Sequence, residues 1–580
     1  MAPLFFLSVL PLIGLAIFFY TPLQSVFQDL SQSIPFLSAA PQVRLSQGLV
    51  IGTILKNDFP EPVEAFLGFP YAQAPLGDLR FRRAHALPES NATFIAKEYG
   101  SVCPGKQLLK TAKVNPPSED CMSVNVFRQK NAKDGGKLPV AVYIHGGAFN
   151  RGSSMMHNTA SMVGWSEKPF IGVSFNYRIG ALGFLPSKLS FEEGLVNIGL
   201  HDQVFLLQWV KDNIAAFGGD ANDVTIFGLS AGAHSIGHLI MNYQEEPLFH
   251  KAILESGAPT SRAVHPYDAP VHEEQFALFL EKSDCADVAR DQILSCLRNQ
   301  PEEVITEAQS HVFYKYNPSL RWAFQPVIDS ELIHHRPIDA WRSGKWNRVP
   351  IMTGHTTNEG TYYVPPALST SEEFTDFWHT LLPHYSPADL KTINRLYPDP
   401  SLDDSSVYTE TRNMSALAIG PQYKRVEAAY AHYAYVCPVR QTADLASSAS
   451  ESEPPVFVYH WALNQTVKGG ANHGDNMWYE TYGTDITSIS EAQKEVSGVL
   501  HSYVTSFITA GDPNAIKGRY ADRPTWERYG RSNEKAMTFG KGNDERAGGE
   551  GKGVSAQMIG NEWVKEKCEF WWEKSADTEE

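Results

Sequence analysis

From residue 43 onward, apolar runs of strand length alternate with stretches whose apolar residues recur every three or four positions. Residues 138–144 (LPVAVYI) form a continuous apolar run that predicts a buried strand, and residues 171–177 predict the next. Between them and the run 224–227, residues 202–216 predict an amphipathic helix, with Val204, Leu207, Trp209, Val210 and Ile214 on or near one face. This alternation predicts an α/β fold, a mainly parallel sheet covered by helices. Residues 265–345 are helix-rich and polar, which suits an insertion above the sheet. Residues 447–455 predict an exposed loop. The Gly-rich stretch 548–553 lacks the hydroxyl residue after Gly-Lys and the preceding strand of a phosphate-binding loop, so it is read as a surface loop.

The N-terminus breaks the alternation. Residues 4–20 (LFFLSVLPLIGLAIFFY) are nearly all apolar, and the first charged side chain is Asp29. The run is long for a signal core and short for a membrane span, and Pro11 and Gly14 interrupt it. Residues 1–41 are therefore read as a signal peptide or membrane anchor followed by a linker, and 42–580 as a single domain. Both readings place the chain in the secretory pathway, secreted or tethered through residues 4–20. Six cysteines agree with an oxidising compartment. Cys103 with Cys121, and Cys285 with Cys296, would each close a short loop; Cys437 and Cys568 either pair or stay free. Asn91, Asn413 and Asn464 each begin a glycosylation sequon.

Hydrophobic content of 43% and aromatic content of 12% allow a large core. The net charge is −16 with no long basic run, which argues against nucleic acid as a partner. No metal-binding spacing and no cofactor motif is present, so neither is expected.

The chemistry is concentrated around Gly228-Leu229-Ser230-Ala231-Gly232. The β-branched run before it and the apolar helical stretch 233–240 after it make a nucleophile-elbow context, in which glycines let a sharp turn present the serine hydroxyl. Gly-x-Ser-x-Gly by itself is a weak signal. A second element supports it: His145-Gly146-Gly147-Ala148-Phe149 directly follows a predicted strand, with small residues whose backbone N–H groups can approach a ligand oxygen.

In these motifs the chain resembles the type-B carboxylesterase family, which includes the cholinesterases and the large fungal lipases. The resemblance runs through most of residues 43–572. It includes Phe66-Leu67-Gly68-Phe69-Pro70-Tyr71-Ala72, Glu119-Asp120-Cys121 with Asn125, Asn176-Tyr177-Arg178, Phe217-Gly218-Gly219-Asp220 and Gly511-Asp512-Pro513-Asn514. It implies an α/β-hydrolase fold with helical insertions over the active site and a serine hydrolase acting on small-molecule or lipid carboxylic esters through an acyl-enzyme. The family order of serine, acid and histidine assigns Ser230, then Glu359 in Asn358-Glu359-Gly360, then His473 in Asn472-His473-Gly474. It also implies Gly147, Ala148 and Ala231 as oxyanion donors, and disulfides Cys103–Cys121 and Cys285–Cys296.

Other residues near these motifs receive plainer readings. His145 is read as packing, His234 and His238 as satisfied core, and Trp478 and Tyr479 as core aromatics rather than pocket lining. Three departures from the family stand out. Ala148 replaces a third glycine, Leu229 stands where cholinesterases have an acid, and no Trp lies between Cys103 and Cys121, which disfavours a cholinesterase. Two competing functions remain at this level: a silent adhesion or binding protein on the same fold, and an acyltransferase. Oligomeric state is not indicated.

Overall fold

The structure is a computed structural model that describes residues 40–577, except 58, 107–114, 133–136, 263, 317–321, 448–452, 465–469, 544–552 and 561–563. The apolar run at 4–20, nearly all of the linker, the centre of the 447–455 loop and most of the Gly-rich stretch lie outside the described residues.

The strands are β1 (Gln42–Leu45), β2 (Gly48–Ile51), β3 (Thr53–Leu55), β4 (Val63–Pro70), β5 (Thr93–Ile95), β6 (Ser123–Gln129), β7 (Leu138–Ile144), β8 (Ile171–Phe175), β9 (Gly219–Leu229), β10 (Lys251–Glu255), β11 (Ile351–Thr356), β12 (Val456–Trp461), β13 (Lys535–Lys541) and β14 (Val554–Gly560). Eleven of them form one sheet in the order β14-β13-β12-β11-β10-β9-β7-β8-β6-β4-β3; β1, β2 and β5 form a small second sheet. The run from β8 through β13 is parallel, and antiparallel strands close both sides. The mainly parallel sheet expected from the sequence is therefore present.

Strands β8, β10 and β11 are buried along their whole length, as central strands covered by helices on both faces are. The pleat sends alternate residues of β7 to opposite faces. Val140, Val142 and Ile144 join one core with Leu206 and Ile236, while Ala141 and Tyr143 join another with Phe457 and Phe507. Helices α1 (Ile198–Asn213) and α2 (Ala231–Met241) cover the first face, and α3 (Glu491–Ala510) covers the second. Helix α1 starts before the 202–216 stretch and ends earlier, in a 3₁₀ turn over Ile214–Phe217 closed by Gly218 at φ 89°. The region 265–345 is helical as expected, over Pro270–Lys282, Ile293–Asn299, Glu302–Lys315 and Pro337–Ser343.

All six cysteines are paired, as Cys103–Cys121, Cys285–Cys296 and Cys437–Cys568. The third bond joins the helices Cys437–Ala446 and Lys565–Glu573, the pairing that the sequence leaves open. Asn91 and Asn413 are exposed and Asn464 is half-buried. Among the described residues no helix is long and apolar enough to cross a membrane.

Candidate active site

Ser230 sits between the last residue of β9 and the first residue of α2, at φ 59° and ψ −121°. That conformation is strained for a residue with a Cβ and typically costs about 1–3 kcal/mol, so the surroundings must hold it. They do so through two backbone hydrogen bonds: Ser230 N–H donates to Glu255 O at the end of β10 (2.8 Å), and His234 N–H donates to Ser230 O (2.8 Å). The flanking glycines follow from close packing. A Cβ on either Gly228 or Gly232 would strike the carbonyl oxygen of Ile144 on β7.

Glu359 and His473 are brought side by side by a short parallel bridge between Asn358 and Asn472. Asn358 N–H donates to Ala471 O (2.7 Å), and Asn358 Oδ1 accepts from Ala471 N–H (3.1 Å). The two loops are thereby locked in register, and His473 Nδ1 lies 2.5 Å from Glu359 Oε2. The second oxygen, Oε1, accepts from Thr356 N–H at 2.6 Å. Burial pushes the Glu359 carboxyl up, but the facing imidazole and these hydrogen bonds outweigh it and hold it below the ordinary glutamate value.

His473 Nε2 is buried and makes no hydrogen bond among the described residues, so the imidazole retains a free nitrogen. The serine and histidine loops touch. A Cβ on Gly474 would lie 2.9 Å from Leu229 Cδ2, which joins the neighbour of His473 to the neighbour of Ser230.

The loop after β7 packs on the elbow. A Cβ on Gly146 would come within 2.5 Å of Leu229 O and 3.2 Å of Ser230 Cβ. Gly147 has φ 112°, and Ala148 and Phe149 are left-handed at φ 56° and 61°. The carbonyls of this loop are engaged. Ala148 O accepts from Asn150 Nδ2 (2.8 Å) and Gln325 Nε2 (3.0 Å), and Phe149 O accepts from Gly180 N–H (2.7 Å). The N–H groups of Gly147 and Ala148 have no acceptor among the described residues, and Ala231 N–H opens α2, where no intrahelical acceptor exists. Free amides beside a strained serine suit an anion.

His145 is packing, as expected. It stacks on Tyr177 (ring centroids 4.2 Å), and burial lowers its pKa to about 4. The reading of His234 and His238 needs correction. Both are buried, but His234 Nε2 and His238 Nδ1 lack any hydrogen-bond partner among the described residues. Each is kept neutral by burial; His238 falls to about 4. Helix α2 is buried from Ala231 to Ile240, which cuts both imidazoles off from water. Tyr479 is core, packed on Trp461 at 4.8 Å, and Trp478 is half-buried against the same cluster.

Behind the elbow lies a buried group of titratable residues. Glu255, whose carbonyl anchors Ser230, accepts from Asn476 Nδ2 (2.8 Å) and faces Glu480; His157 Nε2 is 3.2 Å from Glu480 Oε1. Burial and then repulsion from Glu480 push Glu255 well up, while burial pushes Glu480 up to about 7 and lowers His157 to about 4. Among the described residues no cluster of three or more His, Cys, Asp or Glu is arranged to hold a metal ion.

The profile of the carboxylesterase family matches residues 39–571. The chain belongs to the carboxylesterase family. Secreted lipase 4 of Gibberella zeae is 37% identical over 486 residues, covering 83% of this chain and 84% of its own length. Lipase 1 of Geotrichum candidum is 31% identical, covering 82% of this chain and 88% of its own length. In three dimensions the chain is similar to EstA of Aspergillus niger, with a TM-score of 0.78 and 27% identity over 94% of this chain and all of EstA. The protein is a carboxylic-ester hydrolase with an α/β-hydrolase fold.

One wall of this carboxylesterase's site was missed by sequence reasoning. Tyr435 and Tyr363 flank the His473 ring, with centroids at 4.5 and 5.2 Å. Trp322 stands 6.0 Å from Tyr363, and Arg262 lies over Trp322 at 4.1 Å and donates from Nη2 to the Tyr435 hydroxyl (2.9 Å). Tyr363 follows Glu359 by four residues and was within reach of a motif argument. Tyr435, Trp322 and Arg262 come from three remote segments, and no local signal marks them.

Proposed function

We propose that this carboxylesterase cleaves its ester through a Ser230–His473–Glu359 triad and a covalent acyl-enzyme. Ser230 Oγ attacks the ester carbonyl while His473 Nε2 takes the hydroxyl proton. The carbonyl oxygen becomes an oxyanion and is received by the N–H groups of Gly147, Ala148 and Ala231. His473 then returns the proton to the departing alcohol oxygen, leaving Ser230 acylated. A water molecule, deprotonated by His473, attacks the acyl carbon; collapse expels Ser230 Oγ, which recovers its proton, and releases the carboxylic acid. Glu359 fixes the imidazole tautomer, with its proton on Nδ1, and stabilises the imidazolium. One oxyanion donor of this kind contributes roughly 10²–10³ in rate.

The observation that carries this reading is the 2.5 Å Glu359–His473 contact, on a loop whose Gly474 packs against Leu229, the neighbour of a strained serine at a helix N-terminus. Such geometry has no use in a binding protein that lacks chemistry, and nothing favours that alternative. The names of the relatives support a lipid or other aliphatic ester as substrate. The apolar N-terminal run, the fully paired cysteines and the name of the Gibberella zeae relative support passage through the secretory pathway. The test is labelling with a fluorophosphonate, read by intact mass. Wild type is expected to gain one adduct, and Ser230→Ala none. An unlabelled wild type, or equal labelling of Ser230→Ala, refutes the triad. Hydrolysis of p-nitrophenyl esters of increasing chain length then ranks the acyl groups.

A further inference from the structure

Around Trp322, in the wall beside His473, two cations meet no anion among the described residues. Arg262 and Arg151 form no ion pair with a carboxylate among the described residues, in a chain of net charge −16. The contrast with other buried guanidinium groups is clear. Arg178 is paired to Asp202, and Arg425 donates to Tyr397 O, Ser371 Oγ, Gln422 Oε1 and Asn394 Oδ1. Arg523 donates to the carbonyls of Lys517, Tyr520, Pro513 and Ile516.

Among the described residues Arg262 makes one side-chain hydrogen bond, to Tyr435, although a guanidinium carries five N–H donors. Its Nε is buried with no acceptor among the described residues. Stacking on Trp322 satisfies the flat face of the group and leaves the donors on its edge unused. Arg151 also approaches this ring, with Cζ 6.0 Å from the Trp322 centroid, and its Nε is buried with no acceptor among the described residues. Arg151 belongs to the oxyanion loop, because its N–H donates to Gly147 O at 3.1 Å. Arg262 reaches the imidazole through one tyrosine, whose ring is 4.5 Å from His473. Two donor-rich cations near one indole, each with a buried Nε that finds no acceptor among the described residues, both tied to the reacting groups, form a receptor for a carboxylate rather than for a hydrocarbon chain.

We propose that Arg262 and Arg151 select esters that carry a second, ionised carboxyl group, such as half-esters of dicarboxylic acids. The inference rests on the hydrolase reading above. It differs from a plain lipase pocket, where unpaired buried cations would oppose an alkyl chain.

The test compares kcat/KM for matched pairs in which the carboxylate is free or methylated. Mono-p-nitrophenyl glutarate against its methyl ester puts the anion on the acyl side, and 4-acetoxybenzoate against methyl 4-acetoxybenzoate puts it on the alcohol side. Wild type is expected to prefer the free carboxylate in one pair by about 10- to 100-fold, the range of a charge-assisted hydrogen bond. Arg262→Gln and Arg151→Gln are each expected to bring that ratio toward one, and Arg262→Lys to recover part of it. Arg151 makes no side-chain hydrogen bond among the described residues, so its replacement still reads the ratio if the Arg262 variants misfold. Absence of a preference in wild type for either pair overturns the proposal, as does an equal loss on free and methylated esters. A wild type that hydrolyses none of the four esters and takes no fluorophosphonate points instead to failure of the triad reading.

Discussion

Glu359 holds His473 with one carboxylate oxygen, Oε2 at 2.5 Å from Nδ1, and spends the other on Thr356 N–H at 2.6 Å. The carboxylate is thus fixed at both ends before it touches the ring. Replacing it with glutamine separates orientation from charge. The amide can keep one acceptor, but its NH₂ presented to Nδ1 forces the proton onto Nε2, where the base is needed. Glu359→Gln is expected to lower kcat by about 10³–10⁴-fold. Circular dichroism and thermal denaturation should show an intact fold. A loss below tenfold in steady-state assays rules out the assigned role of Glu359.

The elbow glycines make a sharper test, because the obstacle is backbone. A Cβ on Gly232 meets the Ile144 carbonyl, which belongs to a central strand and has no rotamer to move to. Gly232→Ala is expected to destabilise the protein by about 1–3 kcal/mol, the usual cost of overpacking, and to abolish fluorophosphonate labelling by displacing Ser230. Gly530→Ala is the control, since nothing lies within 4 Å of its Cβ and its φ is not positive. Equal melting temperatures for the two variants contradict the packing argument.

Legibility in the sequence followed the kind of signal each element leaves. Central strands such as β7 and β8 are buried on both faces and so announce themselves as apolar runs, and Ser230 is announced by the glycines its turn requires. Glu359 and His473 have no periodicity; only their motifs found them, and what joins them is the Asn358–Asn472 bridge across more than a hundred residues. The Cys437–Cys568 bond, with a separation of 131, was undecidable for the same reason. His234 and His238 were misjudged because burial can be read from a helix pattern, whereas hydrogen-bond satisfaction depends on residues from other elements. Arg262 and Trp322 belong to that class too.

Ala148 stands in the left-handed region at φ 56°, a conformation that favours glycine. Ala148→Gly relieves backbone strain of roughly 1–2 kcal/mol. It loses one buried methyl, about 0.8 kcal/mol, and gains unfolded-state freedom worth about 0.4–1 kcal/mol. The three effects cancel to within about 1 kcal/mol, so differential scanning calorimetry is expected to find little change, unlike most Ala→Gly substitutions in a core. The backbone N–H survives, so kcat/KM should stay within about threefold. A loss of more than about 2 kcal/mol would mean that packing of the methyl in the buried cluster it shares with Phe313 and Trp322 dominates.

Glu255 and Glu480 sit face to face behind Ser230, and their pKa values are raised by burial. The folded state therefore holds protons that the unfolded chain releases near pH 4.5. This stability is fully present below that pH and is lost as pH rises through about 7, where Glu480 titrates. Buried histidines act in the opposite direction. His145, His157 and His501, lowered to about 4, contribute stability above pH 6.5 that is lost as pH falls toward 4. Wild-type melting curves mix the two effects, so the carboxyl pair must be read as a difference. Glu480→Gln removes one titrating group while keeping its volume. Relative to wild type it is expected to gain on the order of 2 kcal/mol between pH 5 and pH 8. A difference in unfolding free energy that stays flat across that range, or slopes the other way, shows that Glu480 is ionised in the folded protein at neutral pH and that His157 holds it as an ion pair.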